Sequence, residues 1–432
     1  MIVKNNNILY TDNSNEVSQN TIFVSSKHNI KYIDDVKING CNTILTSKEL
    51  KDKFDFSSIK IVGITGTNGK TTTAGAIYSI LLDLGYKVAL QGTRGFYIND
   101  KKIKEYSLTT PVQLENFDNL NKAIENRCEF FIMEVSSHAI EQNRIEGLDF
   151  ALKIHTNITQ DHLDYHKTLE EYVDVKNSFF CDDSMKLINK DDEKIKYKMK
   201  NVYAYGMENP ATYKVTAYSV KNGLHVALQN FSNVVQFSSQ MMGLFNVYNL
   251  TAAVASVNLL TKIPLQKICD QVEYFAGVAG RMEVITQEPL IVVDFAHTPD
   301  GMKKVFESFS AYDIVCVFGA GGDRDKSKRS IMGKVAEHFC KEIIVTSDNP
   351  RFEDPDLIVE DILVGIDKRS NVTIDLNRKE AIKIAINKAK NYKNSVILIL
   401  GKGDETSQII YDKKLPFNDK DIAIKVLSEY KQ

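Results

Sequence analysis

The sequence lacks the features that would place it in a membrane or on nucleic acid. Its 432 residues carry a net charge of −2, so no basic excess exists to attract nucleic acid or an anionic membrane surface. The longest apolar runs, such as Val396–Leu400, have the length of a strand and cannot cross a bilayer. The N-terminal residues include Asn and Asp where a signal peptide needs an apolar segment. We therefore expect a cytoplasmic protein without membrane or nucleic-acid partners.

Cysteine pairs and internal repeats are also missing. The six cysteines are scattered and none stands in a C-x-x-C pair, which favours reduced thiols over a disulfide framework or a zinc cluster. What is present is a composition of 43% hydrophobic and 25% charged residues, which is typical of globular proteins. A chain of 432 residues is too long for one ordinary core, so we expect two to four domains.

Strand and helix patterns divide the chain into three parts. After a polar first part, the apolar segment Ile59–Ile64 predicts a strand, and the amphipathic segment Lys70–Leu84 predicts a helix. Further strands and helices are predicted at Phe130–Val135, Lys153–Thr156, Leu169–Phe180 and Val247–Leu260, and the alternation in residues 199–240 suggests an antiparallel insert.

Beyond residue 280, apolar strands alternate with helical stretches such as Arg378–Tyr392, which indicates a second doubly wound parallel sheet. The predicted fold class is thus α/β with three domains. Residues 1–58 form a small N-terminal α/β module, residues 59–279 a central domain with a P-loop ATPase-type parallel sheet, and residues 280–432 a Rossmann-like domain.

A glycine-rich loop lies between the first central strand and its helix. It reads Gly63-Ile-Thr-Gly-Thr-Asn-Gly-Lys70-Thr-Thr, and such loops turn backbone N–H groups and a helix dipole toward a phosphate. Lys70 can reach the terminal phosphates, and Thr71 can bind Mg²⁺. The strict GxxxxGK[ST] pattern is not met because position 64 is Ile, so a purely structural turn is the alternative. We predict ATP contacts from Gly66, Thr67, Asn68, Gly69, Lys70, Thr71 and Thr72.

Two polar segments follow predicted strands, where an open α/β sheet has its ligand crevice. They contain Glu134 and His162, which could hold Mg²⁺ beside the phosphates. A capping carboxylate and a hydrogen-bonded loop histidine are the structural alternatives. Zinc is a weaker hypothesis, because His162 and His166 have the right spacing but Leu163 replaces the glutamate of the HExxH motif.

Several motifs together resemble the Mur ligase family and its relatives, the folylpolyglutamate synthetases. The resemblance covers about residues 60–432 and includes GTNGKTT, EVSSH at Glu134, TNITQDHLDYH at Thr156, GRME at Gly280 and DFAHTPD at Asp294. It implies an ATP-dependent ligase that joins a carboxylate to an amine through an acyl phosphate. It also implies that Lys176 reacts with CO₂ to form a carbamate that binds Mg²⁺ with Thr71, Glu134 and His162. From the residues alone, Lys176 would be a solvated helix lysine.

The resemblance also assigns substrate contacts. TTP and SSHxxxQxR imply that a UDP-muramoyl dipeptide meets Thr109, Thr110, Ser136, Gln142 and Arg144. In the N-terminal module, only Asn13–Val17 resembles the uracil-side pattern of the family. Asn replaces both its Asp and its Arg, which leaves Ser14 as the matching position.

The remaining motifs concern ATP and an amino acid. The resemblance implies adenine contacts from Asn246 and Asn249, phosphate contact from Arg281, and ribose contacts from Asp294 and His297. It implies an amino-acid site made of Arg324, Asp348, Asn349, Arg351, Gly401 and Glu405. Asp-Asn-Pro-Arg resembles the motif that selects meso-diaminopimelate, whereas lysine-adding relatives lack its arginine. Asp404 departs from the family, which has His there.

We therefore expect an ATP- and Mg²⁺-using ligase that acts on small molecules as a monomer, with Lys70, Lys176 and His162 as its catalytic residues. Two alternatives stay open. Another ligase of the superfamily would use the same loop without needing Asp-Asn-Pro-Arg, and a P-loop NTPase switch would hydrolyse ATP without either co-substrate.

Overall fold

The computed structural model describes residues 1–27, 29–105 and 108–429. Residues 28, 106 and 107, and residues 430–432 at the end of the predicted third domain, lie outside the described residues. The described chain forms three main sheets in sequence order, each with helices on its faces. This agrees with the predicted α/β fold class.

The first sheet has the order β1-β2-β3-β4 and belongs to the N-terminal module. Its first pair is antiparallel and the other two pairs are parallel. The module packs against the helix Gln113–Glu125 of the central region, because Val3, Tyr10 and Leu50 share a core with Leu114 and Phe117. Its elements are β1 (Ile2–Asn5), β2 (Ile8–Thr11), β3 (Thr21–Ser25), α1 (Ile33–Ile38), β4 (Thr43–Thr46) and α2 (Ser47–Leu50).

The central sheet has eleven strands in the order β15-β14-β13-β12-β11-β10-β5-β9-β6-β7-β8. The seven strands from β13 to β6 are parallel neighbours, and antiparallel strands extend both edges. The strands are β5 (Lys60–Thr65), β6 (Val88–Gly92), β7 (Gly95–Ile98), β8 (Lys101–Lys104), β9 (Phe130–Glu134), β10 (Phe150–His155), β11 (Lys186–Asn189), β12 (Val202–Gly206), β13 (Tyr213–Ser219), β14 (Leu224–Asn230) and β15 (Asn233–Ser239).

The predicted antiparallel insert at residues 199–240 is wrong in part. Strand β12 pairs in parallel with β11, and β13 pairs in parallel with β12. Only the pairs β13–β14 and β14–β15 are antiparallel. These strands continue the central sheet and do not form a separate unit. Alternation along a strand reports that one face is exposed, but it carries no information about the direction of the neighbouring strand.

Helices cover both faces of the central sheet. On one face, Ile77, Ile80 and Leu81 of the phosphate-loop helix meet Leu250 and Val254 of the longest helix. That helix has the length and hydropathy of a membrane span, but 72% of it is buried inside the protein, which is typical of a core helix. The helices are α3 (Lys70–Asp83), α4 (Gln113–Glu125), α5 (Ser137–Glu141), α6 (Leu163–His166), α7 (Leu169–Ser178), α8 (Leu244–Thr261) and α9 (Leu265–Cys269).

The third sheet has the order β16-β17-β21-β18-β19-β20 and is parallel except for its first pair. Apolar cores lie on both of its faces, as a doubly wound sheet requires. The elements are β16 (Glu283–Gln287), β17 (Leu290–Asp294), α10 (Pro299–Ser308), β18 (Asp313–Phe318), α11 (Ser327–Phe339), β19 (Glu342–Val345), α12 (Pro355–Leu363), β20 (Val372–Ile374), α13 (Arg378–Ala389), β21 (Ser395–Leu400), the hairpin β22 (Ser407–Ile410) and β23 (Lys413–Pro416), and α14 (Asp419–Glu429).

Candidate active site

A cleft of about 1620 Å³ lies between the central and third sheets. Loops that follow parallel strands of both sheets line it, which is where open α/β sheets bind ligands. The central sheet contributes the phosphate loop and the ends of β9 and β10. The third sheet contributes the loops after β17, β18, β19 and β21.

The phosphate loop connects β5 to α3 and depends on two glycines. Gly69 caps the helix with φ +85°, and a Cβ there would lie 2.4 Å from Asn249 Oδ1. A Cβ on Gly66 would lie 1.9 Å from Thr156 Oγ1. Side chains are thus excluded at both positions, and the free N–H groups at the start of α3 can meet an anion.

Lys70 folds back over this loop. Its ammonium donates to the Gly66 oxygen at 2.8 Å and to the Thr67 oxygen at 2.9 Å. Burial lowers the pKa of Lys70, and the charge of Glu134 opposes that shift. The lysine is therefore held at the loop and can turn toward a bound phosphate.

Glu134 ends β9 beside the phosphate loop. Its carboxylate accepts from the Thr71 hydroxyl at 2.9 Å and from the Thr93 backbone N–H at 3.0 Å. The side chain is buried. A buried carboxylate in contact with the first hydroxyl of the helix is a suitable oxygen donor for a hard cation.

His162 also lines the cleft. It lies directly before α6 and has a left-handed backbone conformation, with φ +55°. Its Nε2 is 3.4 Å from Asp161 Oδ2. Desolvation lowers the pKa of His162, and the charge of Asp161 opposes this shift, so the ring is neutral at neutral pH and can bind a metal. Among the described residues, no set of three or more His, Cys, Asp or Glu side chains has the arrangement of a metal site.

Lys176 is buried against the same loop. Its ammonium donates to the Gly66 oxygen at 2.9 Å, so it shares this acceptor with Lys70. Burial lowers the pKa of Lys176 well below its usual value, and the neighbouring charge of Lys70 lowers it further. A neutral amine is the form of lysine that reacts with CO₂.

The residues predicted for the UDP-linked substrate form one hydrogen-bonded network behind Glu134. The Thr110 hydroxyl donates to the Glu134 carbonyl oxygen at 2.8 Å, and the Arg144 guanidinium donates to the Thr110 carbonyl oxygen at 2.9 Å. Arg144 Nε also donates to Gln142 Oε1 at 2.9 Å. The Thr109 hydroxyl, which lines the cleft, and Ser136 complete the set.

Ser14 lies apart from this network. It begins a short 3₁₀ turn, Ser14–Glu16, in the N-terminal module, and it does not line the cleft.

The predicted adenosine contacts all line the cleft. Asn246 and Asn249 are buried on the first turns of α8 and bond to each other, Asn249 Nδ2 donating to Asn246 Oδ1 at 2.9 Å. The Arg281 guanidinium lies 4.2 Å from the centre of the Phe295 ring. Both Asp294 carboxylate oxygens accept backbone N–H groups, from Met282 and Ala296, each at 2.7 Å.

His297 lies beyond Asp294 in the same loop, and its Nδ1 is 2.9 Å from the Phe295 oxygen. Burial lowers the pKa of His297, so its ring is neutral. Residues 275–282 form the linker between the central and third sheets. Because Asp294 accepts from Met282, the loop after β17 holds this linker and also forms one wall of the cleft.

The six residues predicted for the amino acid meet on the opposite wall of the cleft, which comes from the third sheet: Arg324, Asp348, Asn349, Arg351, Gly401 and Glu405. Arg351 Nη1 donates to the Gly322 oxygen at 2.8 Å, which joins the two arginine-bearing loops. Asn349 Nδ2 donates to Glu405 Oε2 at 2.8 Å. Two guanidinium groups and two carboxylates on one wall suit a ligand that carries both carboxylate and ammonium groups.

Lys402 was missed by the sequence reasoning. It is fully buried, and its ammonium donates to Asn349 Oδ1 at 3.0 Å, to Glu405 Oε2 at 2.6 Å and to the Ser407 oxygen at 2.9 Å. It thus sets the orientation of the Asn349 amide. The only sequence signal is its position directly after Gly401, the one glycine predicted for the amino-acid site.

Thr93 and Asp161 were also missed. Thr93 follows β6 and clamps Glu134, and Asp161 stands beside His162. The position of Thr93 directly after an apolar strand could have indicated it.

The cleft has a phosphate loop on one side and, on the other, a wall of arginines and carboxylates that suits an amino acid. This combination is typical of an enzyme that uses ATP to join two further substrates. Comparison with known proteins narrows this class. Residues 64–257 match the model of the Mur ligase middle domain, and residues 280–403 match that of the Mur ligase glutamate ligase domain. The chain belongs to the Mur ligase family and is an ATP-dependent ligase that forms amide bonds on small-molecule substrates.

Individual relatives match over nearly their whole length. The UDP-N-acetylmuramoyl-L-alanyl-D-glutamate–2,6-diaminopimelate ligase of Wolinella succinogenes is 50% identical over 97% of this chain and 96% of its own. The same-named ligase of Helicobacter pylori is 49% identical over 96% and 94%. A solved structure with this name superposes with a TM-score of 0.68 at 28% identity over 98% of this chain and 95% of the other.

A Mycobacterium tuberculosis folylpolyglutamate synthase, solved with ADP and AMPPCP, shares the fold. It has a TM-score of 0.67 at 17% identity, over 80% of this chain and 89% of the other. The predicted family and reaction class are thus confirmed, and the NTPase switch is disfavoured.

Proposed function

We propose that this protein adds meso-2,6-diaminopimelate to UDP-N-acetylmuramoyl-L-alanyl-D-glutamate in cytoplasmic peptidoglycan precursor synthesis. The observation that carries the proposal is the wall that holds Arg324, Arg351, Asp348 and Glu405 opposite the phosphate loop. Diaminopimelate is lysine with a second carboxylate at its far carbon, so a site that selects it needs a group for that carboxylate. The names of the most similar relatives support the same substrate pair.

In the proposed reaction, ATP binds at the phosphate loop on one wall of the cleft and the amino acid binds on the other wall. The γ-phosphoryl group of ATP passes to the terminal carboxylate of the D-glutamyl residue and forms an acyl phosphate. The amine of diaminopimelate then attacks the carbonyl carbon, and phosphate leaves as the amide forms. Lys70 and the N–H groups at the start of α3 offset the phosphate charge, and the third sheet orients the amine.

The described residues fit Mg²⁺ bound by Thr71, Glu134, His162 and Lys176 as its carbamate. Glu134 already contacts the Thr71 hydroxyl, and His162 has a neutral ring. Lys70 and Lys176 share one acceptor, and two ammonium groups there would repel each other. A neutral Lys176 removes the repulsion, and a carbamate on Lys176 would replace it by attraction. When bound, Mg²⁺ would offset charge on the phosphates.

Three regions divide the work in this proposal. Residues 1–58 bind the uridine side with Ser14, residues 59–279 bind ATP, and residues 280–432 bind the amino acid. We propose that the protein acts as a monomer, since each substrate site is assigned to a single chain.

The test is an amino-acid panel with ATP and the UDP-muramoyl dipeptide, in which ADP release and the UDP-linked product are both measured. We expect meso-diaminopimelate to give the highest kcat/KM, with L-lysine lower by a factor of about 10⁴, because a site built for a polar group rejects an analogue that lacks it. Preference for L-lysine, or for glutamate with a folate acceptor, would replace the proposed substrates.

A further inference from the structure

A tight ion pair joins the central and third sheets at the cleft. Arg94 Nε donates to Asp404 Oδ2 at 2.7 Å, and both side chains are partly buried, with exposures of 32% and 25%. In the described part of the chain, two other ion pairs join these regions, and both are longer. Arg324–Asp164 measures 3.9 Å and Lys328–Asp161 measures 4.0 Å. The Arg94–Asp404 pair is therefore the shortest ion pair between these two regions in the described part of the chain.

The central end of this pair is connected to the phosphate side of the cleft. Arg94 lies in the turn between β6 and β7, directly after Thr93. The Thr93 backbone N–H and hydroxyl both donate to the Glu134 carboxylate, at 3.0 and 3.2 Å. A displacement of Arg94 would thus move the residue that fixes Glu134.

The other end is connected to the amino-acid wall and the linker. Asp404 stands between Gly403 and Glu405, and Glu405 accepts from Asn349 and Lys402. A Cβ on Gly280 would lie 2.1 Å from the Asp404 nitrogen, so the linker between the sheets packs directly on this loop. Asp404 therefore couples the linker, the amino-acid wall and Arg94.

From these contacts we infer that Arg94 and Asp404 are positioning residues that hold the amino-acid wall at its reacting distance from the phosphate loop. The inference rests on the proposed function, because it supposes that the amine and the acyl phosphate must meet across this cleft. Neither residue touches the reacting atoms.

A double-mutant cycle tests the inference in the full-length enzyme. Arg94→Ala and Asp404→Ala should each lower kcat/KM for diaminopimelate by about threefold to tenfold, chiefly through its KM, and change the KM for ATP by less than twofold. The double variant should be no worse than the poorer single variant. The exchanged pair Arg94→Asp with Asp404→Arg should recover part of the loss, because the two charges again attract. The rise in KM for diaminopimelate without a matching rise in KM for ATP is the effect that a merely structural role would not predict.

Lys388→Ala is the matched control, because Lys388 is 31% exposed and pairs with Glu342 inside the third sheet. It should leave all constants unchanged. Independent, multiplying losses for Arg94→Ala and Asp404→Ala, or an equal loss in the control, would overturn the inference.

Small-angle X-ray scattering with a non-hydrolysable ATP analogue separates this inference from the proposed function. The radius of gyration should be larger in both single variants than in the wild-type protein, whichever amino acid the enzyme uses. If the wild-type enzyme does not use diaminopimelate but both variants still have the larger radius, the proposed substrate is wrong and the positioning role of the pair stands. Equal radii would reject the pair.

Discussion

Two lysine ammonium groups meet at one carbonyl oxygen in the phosphate loop. Lys70 and Lys176 both donate to the Gly66 oxygen, within 2.8 and 2.9 Å. Like charges at this separation in a buried site disfavour ionisation of both, and burial of Lys176 adds to the effect. A carbamate on Lys176 would turn the repulsion into attraction and provide a metal ligand.

Lys176→Ala should therefore be folded but nearly inactive, with kcat reduced by about 10²-fold to 10³-fold, as for other preorganised charged groups. Formate or acetate should restore part of the activity, because a small carboxylate can enter the vacated space. The measurement is ADP release with and without the added acid, in buffer containing CO₂. Lys190→Ala, at an exposed lysine of the same sheet region, is the control. Lys176 is buried, so the solvated-lysine alternative is wrong. Normal kinetics in Lys176→Ala would instead show that this buried lysine has only a structural role.

Arg351 has a left-handed backbone conformation, with φ +53°, and it lines the cleft together with Arg324. Loss of hydration and the charge of Arg324 lower the pKa of Arg351, whereas Asp348 and Glu405 oppose this. Among the described residues this guanidinium forms hydrogen bonds but no ion pair, so a second carboxylate on the substrate would supply a direct charged partner. L-Lysine would leave it unpaired.

Arg351→Ala should raise the KM for diaminopimelate sharply and narrow its advantage over L-lysine, with little change for ATP. Arg351→Lys is the matched control, since it keeps the charge and the same backbone strain but loses the two-pronged carboxylate contact. The measurement is kcat/KM for both amino acids in all three proteins. An unchanged ratio in Arg351→Ala would move selectivity to another residue.

At the scale of elements, the loop after β19 is held by a buried charge cluster. Arg329 donates to both Glu353 oxygens, at 2.8 and 2.7 Å, and to Asp361 at 2.9 Å. Arg329 also bonds the Gly321 oxygen at 3.1 Å, so one side chain anchors both arginine-bearing loops. The hydrogen bonds from Arg329 lower the pKa of Glu353 to about 2.

This shift predicts how stability depends on pH. The Glu353 pKa is lower in the folded than in the unfolded protein, so its contribution is present above about pH 4.5 and is lost as pH falls toward 2. The difference in unfolding free energy between wild type and Glu353→Gln should therefore be largest at neutral pH and shrink through that window. Denaturant titrations at several pH values measure it. A difference that stays constant between pH 7 and 3 would contradict the assignment.

The elements also show what the sequence can and cannot predict. The strand–glycine–helix order around Lys70 and the apolar strand before Glu134 are local patterns, and both were predicted correctly. The parallel pairing of β12 with β11 was not, because pairing direction depends on distant partners. Lys402 and Arg94 were missed for the same reason, since each has a partner far away in the chain. Lys402 bonds Asn349, 53 positions away, and Arg94 bonds Asp404, 310 positions away.

At the scale of the whole molecule, no single region holds all the groups that the proposed reaction uses. The phosphate loop and Glu134 belong to the central sheet, whereas Arg351 and Glu405 belong to the third sheet. Asn68 Nδ2 of the phosphate loop donates to Asp300 Oδ2 at 3.2 Å, so the loop itself contacts helix α10, which packs on the third sheet. Substrate occupancy on one wall is therefore expected to affect chemistry on the other.

Sustained ADP release should for this reason require both the UDP-muramoyl dipeptide and the amino acid. Without the dipeptide, no carboxylate is present to accept the phosphoryl group. With the dipeptide but no amino acid, at most about one ADP per enzyme should form, because the acyl phosphate waits for its amine. Rapid-quench measurement of ADP against enzyme concentration distinguishes these cases. Lys70→Ala should suppress release in every mixture, since it removes the cation over the phosphate loop. Steady turnover with both co-substrates omitted would favour an NTPase instead, and a fully active Lys70→Ala enzyme would remove the phosphate-loop assignment.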